Sequence, residues 1–323
     1  MELGITIPNL GPLAEPDAIR AIATQSEDLG FRAIAIPDHI VLPKSWDQLY
    51  PYSPNGVTDL FDGGDCLEPI ALMATLASMT EHSRLLTAVM VVPYRPAVLT
   101  AKWLATIDVM SKGRVTVGCG TGWMREEFEA VDAPPFDERG KVTDEYIAAF
   151  RELWTNEAPE FDGDFVKFSN IWFRPQPVQK PHPPIWIGGD SPRAMRRTAE
   201  IGDGWFPVGV EPKRPLNTVA RYCAAADKIR GMAEAAGRDP STIDMAFWAV
   251  WYDDNARGVM TDDGTRHILL GEPDDVAADI TAMGEAGVKS IVFNFQRPTL
   301  AATLDAQEKF AKEVMPLVQG KLQ

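Results

Sequence analysis

Two places in this sequence set chemistry-capable side chains where a fold could use them. The first is Pro37-Asp38-His39, which follows the apolar run Ala33–Ile36. An imidazole at the end of a strand can give or take a proton near neutral pH or stabilise a developing anion, and Asp38 beside it could tune the ring. The plainer alternative for His39 is a hydrogen-bonded loop histidine. The second place is Gly188-Gly189-Asp190-Ser191-Pro192-Arg193, between the apolar run Ile185–Ile187 and a helical stretch. The glycines let the chain turn sharply and admit a ligand to the main chain, Ser191 reads as an N-cap and Pro192 as the first helical residue. First-turn N–H groups, the helix dipole and Arg193 together would make an anion site of phosphate size. An ordinary strand-turn-helix connection is the alternative. The place of this turn in the whole chain decides between them.

The elements that must position these residues alternate from start to end. Strands are read at Leu3–Ile7, Ala33–Ile36, Leu85–Val92, Arg114–Gly118, Ile185–Ile187, Trp205–Val208, Ile243–Trp251 and Ser290–Phe295. Apolar residues at helical spacing fall between them, as in Ile19, Ile22 and Ala23 or Thr143–Trp154, and a last helix carries Phe310, Val314 and Leu317. The strands are continuous apolar runs, the pattern of a parallel sheet covered by helices. Eight such units imply an α/β fold of the (β/α)₈ barrel type, a single domain over 1–323. In that fold the C-terminal ends of the strands converge on one mouth. That convergence raises the standing of His39, of Met90–Pro93 after strand three, and of the Gly188-Gly189 turn.

Two stretches exceed a plain connection. Val41–Asp65, rich in Pro, Gly, Asn, Asp and aromatics and containing Trp46, is a lid candidate. Thr155–Pro184 contains FDGDFVKF, whose Asp-Gly between alternating apolar flanks reads as a hairpin. At the end of strand four, GCGTGW lacks the third glycine and the downstream acid of a dinucleotide fingerprint. Its better use is steric, Gly120 and Thr121 offering bare backbone to a ring system, with Trp123 as an aromatic wall or a core residue. Glu126 is a further pocket candidate, although Glu126 and Glu127 also read as a solvated helix face. His82, His182 and His267 fall before strands or in connections and are read as structural.

Composition limits the partners. A net charge of −15 repels nucleic acid and anionic membranes alike. The start MELGITIPNL is neither a basic n-region nor a long apolar segment, which leads us to expect a cytoplasmic protein. Cys66, Cys119 and Cys223 are far apart and odd in number, so neither a disulfide framework nor a metal site is expected.

LGITIPNLGP, the strand-end DHI, VVPYRPAVLTAKWLATIDVMSKGRVTVGCGTGWMREEFEAV, ERGKVTDEYIAAFRELWT and PPIWIGGDSPRAMRRTAEIGDGWFP together closely resemble the bacterial luciferase-like flavin enzymes. Within them the chain is most similar to the branch that uses the deazaflavin coenzyme F-420. The resemblance spans essentially the whole chain. It implies a barrel, usually homodimeric, that binds F-420 at the strand C-termini and exchanges a hydride with a small-molecule substrate. By position it implies that His39 is the proton donor or anion stabiliser, with Asp38 beside it. It also implies that Gly188, Gly189, Asp190, Ser191 and Pro192 hold the cofactor phosphate. Strand three would carry a non-prolyl cis peptide behind the ring, expected at Val89–Met90. The sugar-phosphate dehydrogenases of this branch have an acid where Trp123 stands, so that activity is not expected. On an acidic protein the cofactor's phosphate and glutamate tail need local cations, for which Arg193, Arg196, Arg197 and Lys180 are candidates. An FMN-dependent monooxygenase and a non-catalytic flavin-binding protein are the alternatives.

Overall fold

The computed structural model describes residues 1–45, 65–318 and 320. Eight parallel strands, β1 (Glu2–Thr6), β2 (Ala33–Ile36), β3 (Arg84–Thr87), β4 (Val115–Gly120), β5 (Ile185–Gly188), β6 (Gly204–Phe206), β7 (Asp244–Ala249) and β8 (Val288–Phe293), pair in sequence order. β8 returns to β1 with Gly4 opposite Val292, and β4 meets β5 with Val117 opposite Ile185, so the sheet closes. Helices α1 (Pro16–Asp28), α2 (Pro69–Met79) and α3 (Ala97–Met110) follow the first three strands. A short α4 (Arg125–Ala130) then precedes α5 (Arg139–Thr155). α6 (Pro192–Ile201), α7 (Val219–Ala235), α8 (Pro273–Glu285) and α9 (Leu300–Glu313) complete the outer layer. This is the (β/α)₈ barrel expected from the alternating pattern.

The continuous apolar strands divide their residues between two cores, because successive side chains point to opposite faces. Ile34, Leu85, Ile187, Phe247 and Ile291 pack outward against the helices. Their neighbours Ala35, Leu86, Trp186, Ala246 and Val292 fill the barrel interior. There Trp186, Phe206 and Trp248 form a column with centroid separations of 6.0 and 5.9 Å, closing the barrel below its mouth.

The expected third strand, Leu85–Val92, is interrupted. β3 stops at Thr87, and Met90–Val91 forms a separate two-residue strand on β4, followed by a 3₁₀ turn at Val92–Tyr94. The cis peptide lies at Ala88–Val89, one residue before the expected position. The hairpin is present as Phe161–Asp162 paired with Lys167–Phe168, Phe161 stacking on Phe168 at 5.8 Å. Its loop is longer than a two-residue Asp-Gly turn, and Glu145 of α5 accepts the N–H groups of Asp164, Phe165 and Val166. Of the lid candidate, residues 46–64, Trp46 among them, lie outside the described residues. Among the described residues no helix is long and apolar enough to cross a membrane.

One glycine has no steric reason to be glycine. Gly231 lies exposed inside α7, and a Cβ there meets nothing within 4 Å. Gly231→Ala is expected to stabilise the fold by about 0.5–1 kcal/mol, since alanine loses less backbone entropy in a helix. An unchanged or lowered denaturation midpoint would contradict that.

Candidate active site

The strand C-termini border a cavity of about 2150 Å³. Every barrel strand or the loop after it contributes, from Thr6 and His39 through Val89, Gly120 and Gly188 to Val208, Trp248 and Asn294. Asn9, after β1, braces the mouth by donating from Nδ2 to the carbonyls of Pro37 (2.9 Å) and Leu67 (3.3 Å). That bond fixes the backbone just before Asp38 and His39.

The two residues after Pro37 have separate surroundings. Asp38 is buried and its carboxylate is committed to the scaffold. Its Oδ2 accepts from the Val91 N–H (2.7 Å) and Arg95 Nη1 (2.9 Å), and its Oδ1 from Arg95 Nη2 (2.8 Å). Arg95 Nη2 also lies 2.7 Å from Glu68 Oε1, so one guanidinium joins the end of β2 to the start of α2. Burial works against the Arg95 charge, but Asp38 and Glu68 outweigh it and raise its pKa. The ring of His39 is held by Glu127, whose Oε2 lies 2.8 Å from Nδ1. The same Oε2 accepts from the Tyr94 hydroxyl at 2.8 Å, while Oε1 accepts the N–H groups of Ile40 (2.7 Å) and Val41 (3.3 Å). The Glu127 side chain is fully buried and that of His39 is 14% exposed. Burial first, then the Glu127 carboxylate, raises the pKa of Tyr94, which keeps its proton for this bond. Burial and the Glu127, Asp38 and Glu68 charges likewise push the Cys66 thiol up to about 12.

Glu127 was expected on a solvated helix face, and the structure corrects this. It shares the inner side of α4 with Phe128, and Met124 precedes it by three residues. That spacing beside apolar neighbours was the available signal, obscured because α4 is only six residues long. Glu126 is half-buried and is not among the residues lining the cavity. Trp123 does line it, edge-on to His39 with ring centroids 6.5 Å apart.

The glycines of β4 and β5 serve the protein before any ligand. A Cβ on Gly118, Gly120 or Gly188 would come within 3.1, 2.6 and 2.9 Å of the Val89 side chain. Val89 therefore rises into the barrel through a socket of three glycines and borders the cavity together with Ala88 and Thr121. Met90, one residue on, has the opposite parity and packs among the outward core side chains.

At the end of β5 the expected turn is present. Gly189 has φ +89°, its carbonyl accepts from Trp205 Nε1 at 2.8 Å, and Ser191 caps α6 by accepting from the Ala194 N–H at 3.1 Å. Pro192, exposed, lacks an N–H, so Arg193 supplies the remaining first-turn donor. Asp190 faces Arg214 at 3.6 Å; burial raises its pKa and Arg214 works against that shift. Arg193, Arg196 and Arg197 all border the cavity, as does Arg139, which the sequence reading missed. Arg197 is paired with Asp144. Arg139 lies over the Phe136 ring at 3.9 Å. Burial, with Arg125 and Arg193 acting in the same direction and Asp137 against, lowers its pKa. Asp137 pairs with Arg125 at 2.8 Å. Among the described residues neither Arg139 nor Arg193 has a carboxylate at ion-pair distance. Lys180 precedes β5 and does not border the cavity. His267, read as structural, does border it beside Trp251, ring centroids 4.9 Å apart, and burial lowers its pKa.

The model of the luciferase-like monooxygenase family matches residues 1–255. An uncharacterized protein of Mycobacterium tuberculosis is 32% identical over 272 residues, which cover 82% of this chain and 90% of that protein. The FMNH₂-dependent dimethylsulfone monooxygenase of Pseudomonas putida is 28% identical over 298 residues, 78% of each chain. Among solved structures, an F-420-dependent secondary alcohol dehydrogenase in complex with an F-420–acetone adduct superposes with a TM-score of 0.74. It is 19% identical and the match covers 98% of this chain and 99% of that one. The strand-end cavity, the closed barrel and these matches agree, and the chain belongs to the luciferase-like monooxygenase family.

Proposed function

We propose that this protein is an oxidoreductase that transfers a hydride between coenzyme F-420 and a small carbonyl, imine or activated alkene, with His39 managing the proton. The observation that carries the choice of cofactor is the pair Arg139 and Arg193, cations bordering the cavity that have no carboxylate at ion-pair distance among the described residues. On a protein of net charge −15, two such cations at a cavity rim suit a ligand with several negative charges. F-420, with a phosphate and an acidic glutamate tail, is such a ligand.

The residues present fit it. Val89, seated on Gly118, Gly120 and Gly188, gives an apolar surface that a flat ring can lie on, with Thr121 and the Gly120 backbone alongside. The Gly188-Gly189 turn, the Arg193 N–H and the Arg193 guanidinium would hold the phosphate. When bound, a deazaflavin supplies a carbon that accepts or returns a hydride. His39 borders the same cavity and would hold or release the substrate's proton, while Trp123, edge-on to it, would limit water there.

An FMN-dependent monooxygenase is the second reading. Its support is the family model and the dimethylsulfone monooxygenase relative. One phosphate would then satisfy the turn, with the outer arginines left over. Arg193→Ala is therefore expected to weaken F-420 binding about tenfold, the effect of losing a charge-assisted contact, and to flatten its salt dependence. Fluorescence quenching titrations at two salt concentrations check this. Equal affinity for the variant and wild-type, with no salt dependence in either, would contradict the anion site.

A further inference from the structure

We infer that Glu127 is a positioning residue that fixes the tautomer of His39, so that the neutral ring presents Nε2 to the cavity as a proton acceptor. The inference deepens the proposed function and rests on His39 acting there. Its basis is the donor count around one buried carboxylate. Oε1 receives the main-chain N–H groups of Ile40 and Val41, and main-chain amides can only donate. Oε2 receives the Tyr94 hydroxyl, and it lies 2.8 Å from His39 Nδ1. A carboxylate in this position accepts, so Nδ1 must carry the hydrogen. In the neutral ring the lone pair is then on Nε2. Nδ1 is held by the buried Glu127, and His39, its side chain 14% exposed, lines the cavity.

The arrangement selects a substrate class. A neutral acceptor at Nε2 suits a substrate whose hydride-bearing carbon is attached to O–H or N–H, an alcohol or an amine. As the C–H bond gives its electron pair and hydrogen, as hydride, to the oxidised flavin-type cofactor, the O–H or N–H proton moves to Nε2. The products are a carbonyl or imine, the reduced cofactor and an imidazolium whose charge Glu127 balances. Run in reverse, the imidazolium returns that proton to the oxygen or nitrogen of a carbonyl or imine. An activated alkene, protonated at carbon, makes no such use of a fixed Nε2.

Glu127→Gln separates positioning from bulk. The amide must keep its oxygen toward the Ile40 and Val41 N–H groups, since an NH₂ there would oppose two fixed donors. Its NH₂ then faces Nδ1, and the tyrosine hydroxyl can rotate to accept. The neutral ring of His39 is thereby switched to Nε2–H. The test is ¹⁵N NMR of histidine-labelled protein without cofactor, at a pH where the ring is neutral, with His39 assigned by its loss in His39→Gln. The expected result is a pyrrole-type Nδ1 in the wild-type and in Tyr94→Phe, and a pyridine-type Nδ1 in Glu127→Gln. Turnover of an alcohol substrate by Glu127→Gln should fall on the order of 10²- to 10⁴-fold with KM little changed. A wild-type ring protonated at Nε2 overturns the inference whether or not the variant folds, and so does a Glu127→Gln ring that keeps Nδ1–H. The tautomer is read without cofactor, so a failure to bind F-420 would overturn the cofactor assignment alone.

Discussion

Replacing His39 with alanine is expected to lower turnover by about 10²- to 10⁴-fold, the usual worth of a positioned acid–base group, with F-420 affinity nearly unchanged. The separation follows from geometry. His39 is held by Glu127 after the end of β2, while the surface proposed for the ring and the turn proposed for the anion involve Val89, Gly120, Gly188 and Arg193, elsewhere on the cavity wall. Deleting the imidazole leaves Oε1 of Glu127 with its two main-chain donors and Oε2 with Tyr94, so the carboxylate is not orphaned and the fold should hold. Steady-state kinetics beside a cofactor titration checks this. Parallel loss of binding and turnover would make His39 a binding or structural residue.

Gly118→Ala is expected to be the most damaging single methyl in the barrel. Its Cβ would lie 2.0 Å from the Thr87 carbonyl oxygen and 3.1 Å from Val89. The first contact is with backbone held in a sheet, and the β-branched valine offers few alternative rotamers. Overpacking in cores costs about 1–3 kcal/mol, and a main-chain overlap should exceed ~3 kcal/mol. The Val89 surface would be displaced in whatever protein still folds, so cofactor affinity should fall as well. Chemical denaturation and a binding titration read the two effects. A midpoint within error of the wild-type would show that β3 and β4 are not packed this closely. Gly231→Ala, the opposite case, should raise the midpoint.

The barrel was legible because its signal is repeated and local. Each strand of apolar residues alternates with a helical period, and the parity that splits Ile34 from Ala35 or Ile187 from Trp186 follows from the strand itself. The turn at Gly188-Gly189 was legible for the same reason, its glycines, cap and proline being adjacent in the chain. Glu127 was not. Its partner His39 is 88 residues away, and a six-residue helix offers too few turns for a period to show which face is buried. Asp38, adjacent to His39 in sequence, was an obvious partner for the ring. Arg95, 57 residues on, holds both of its carboxylate oxygens instead. The break in the third strand was not legible, since the apolar run Leu85–Val92 reads as one strand, whereas β3 stops at Thr87 and a separate strand begins at Met90. Arg139 was missed because its place at the cavity depends on how the β4–α5 connection folds back, which no local pattern specifies.

Equilibrium binding of F-420 and FMN in parallel, by fluorescence quenching at two salt concentrations, tests most directly which flavin the cavity takes. Tight, salt-sensitive binding of F-420 with weak binding of FMN is the predicted result. Preference for FMN would contradict the hydride-transfer assignment in favour of the monooxygenase, and binding of neither would contradict both.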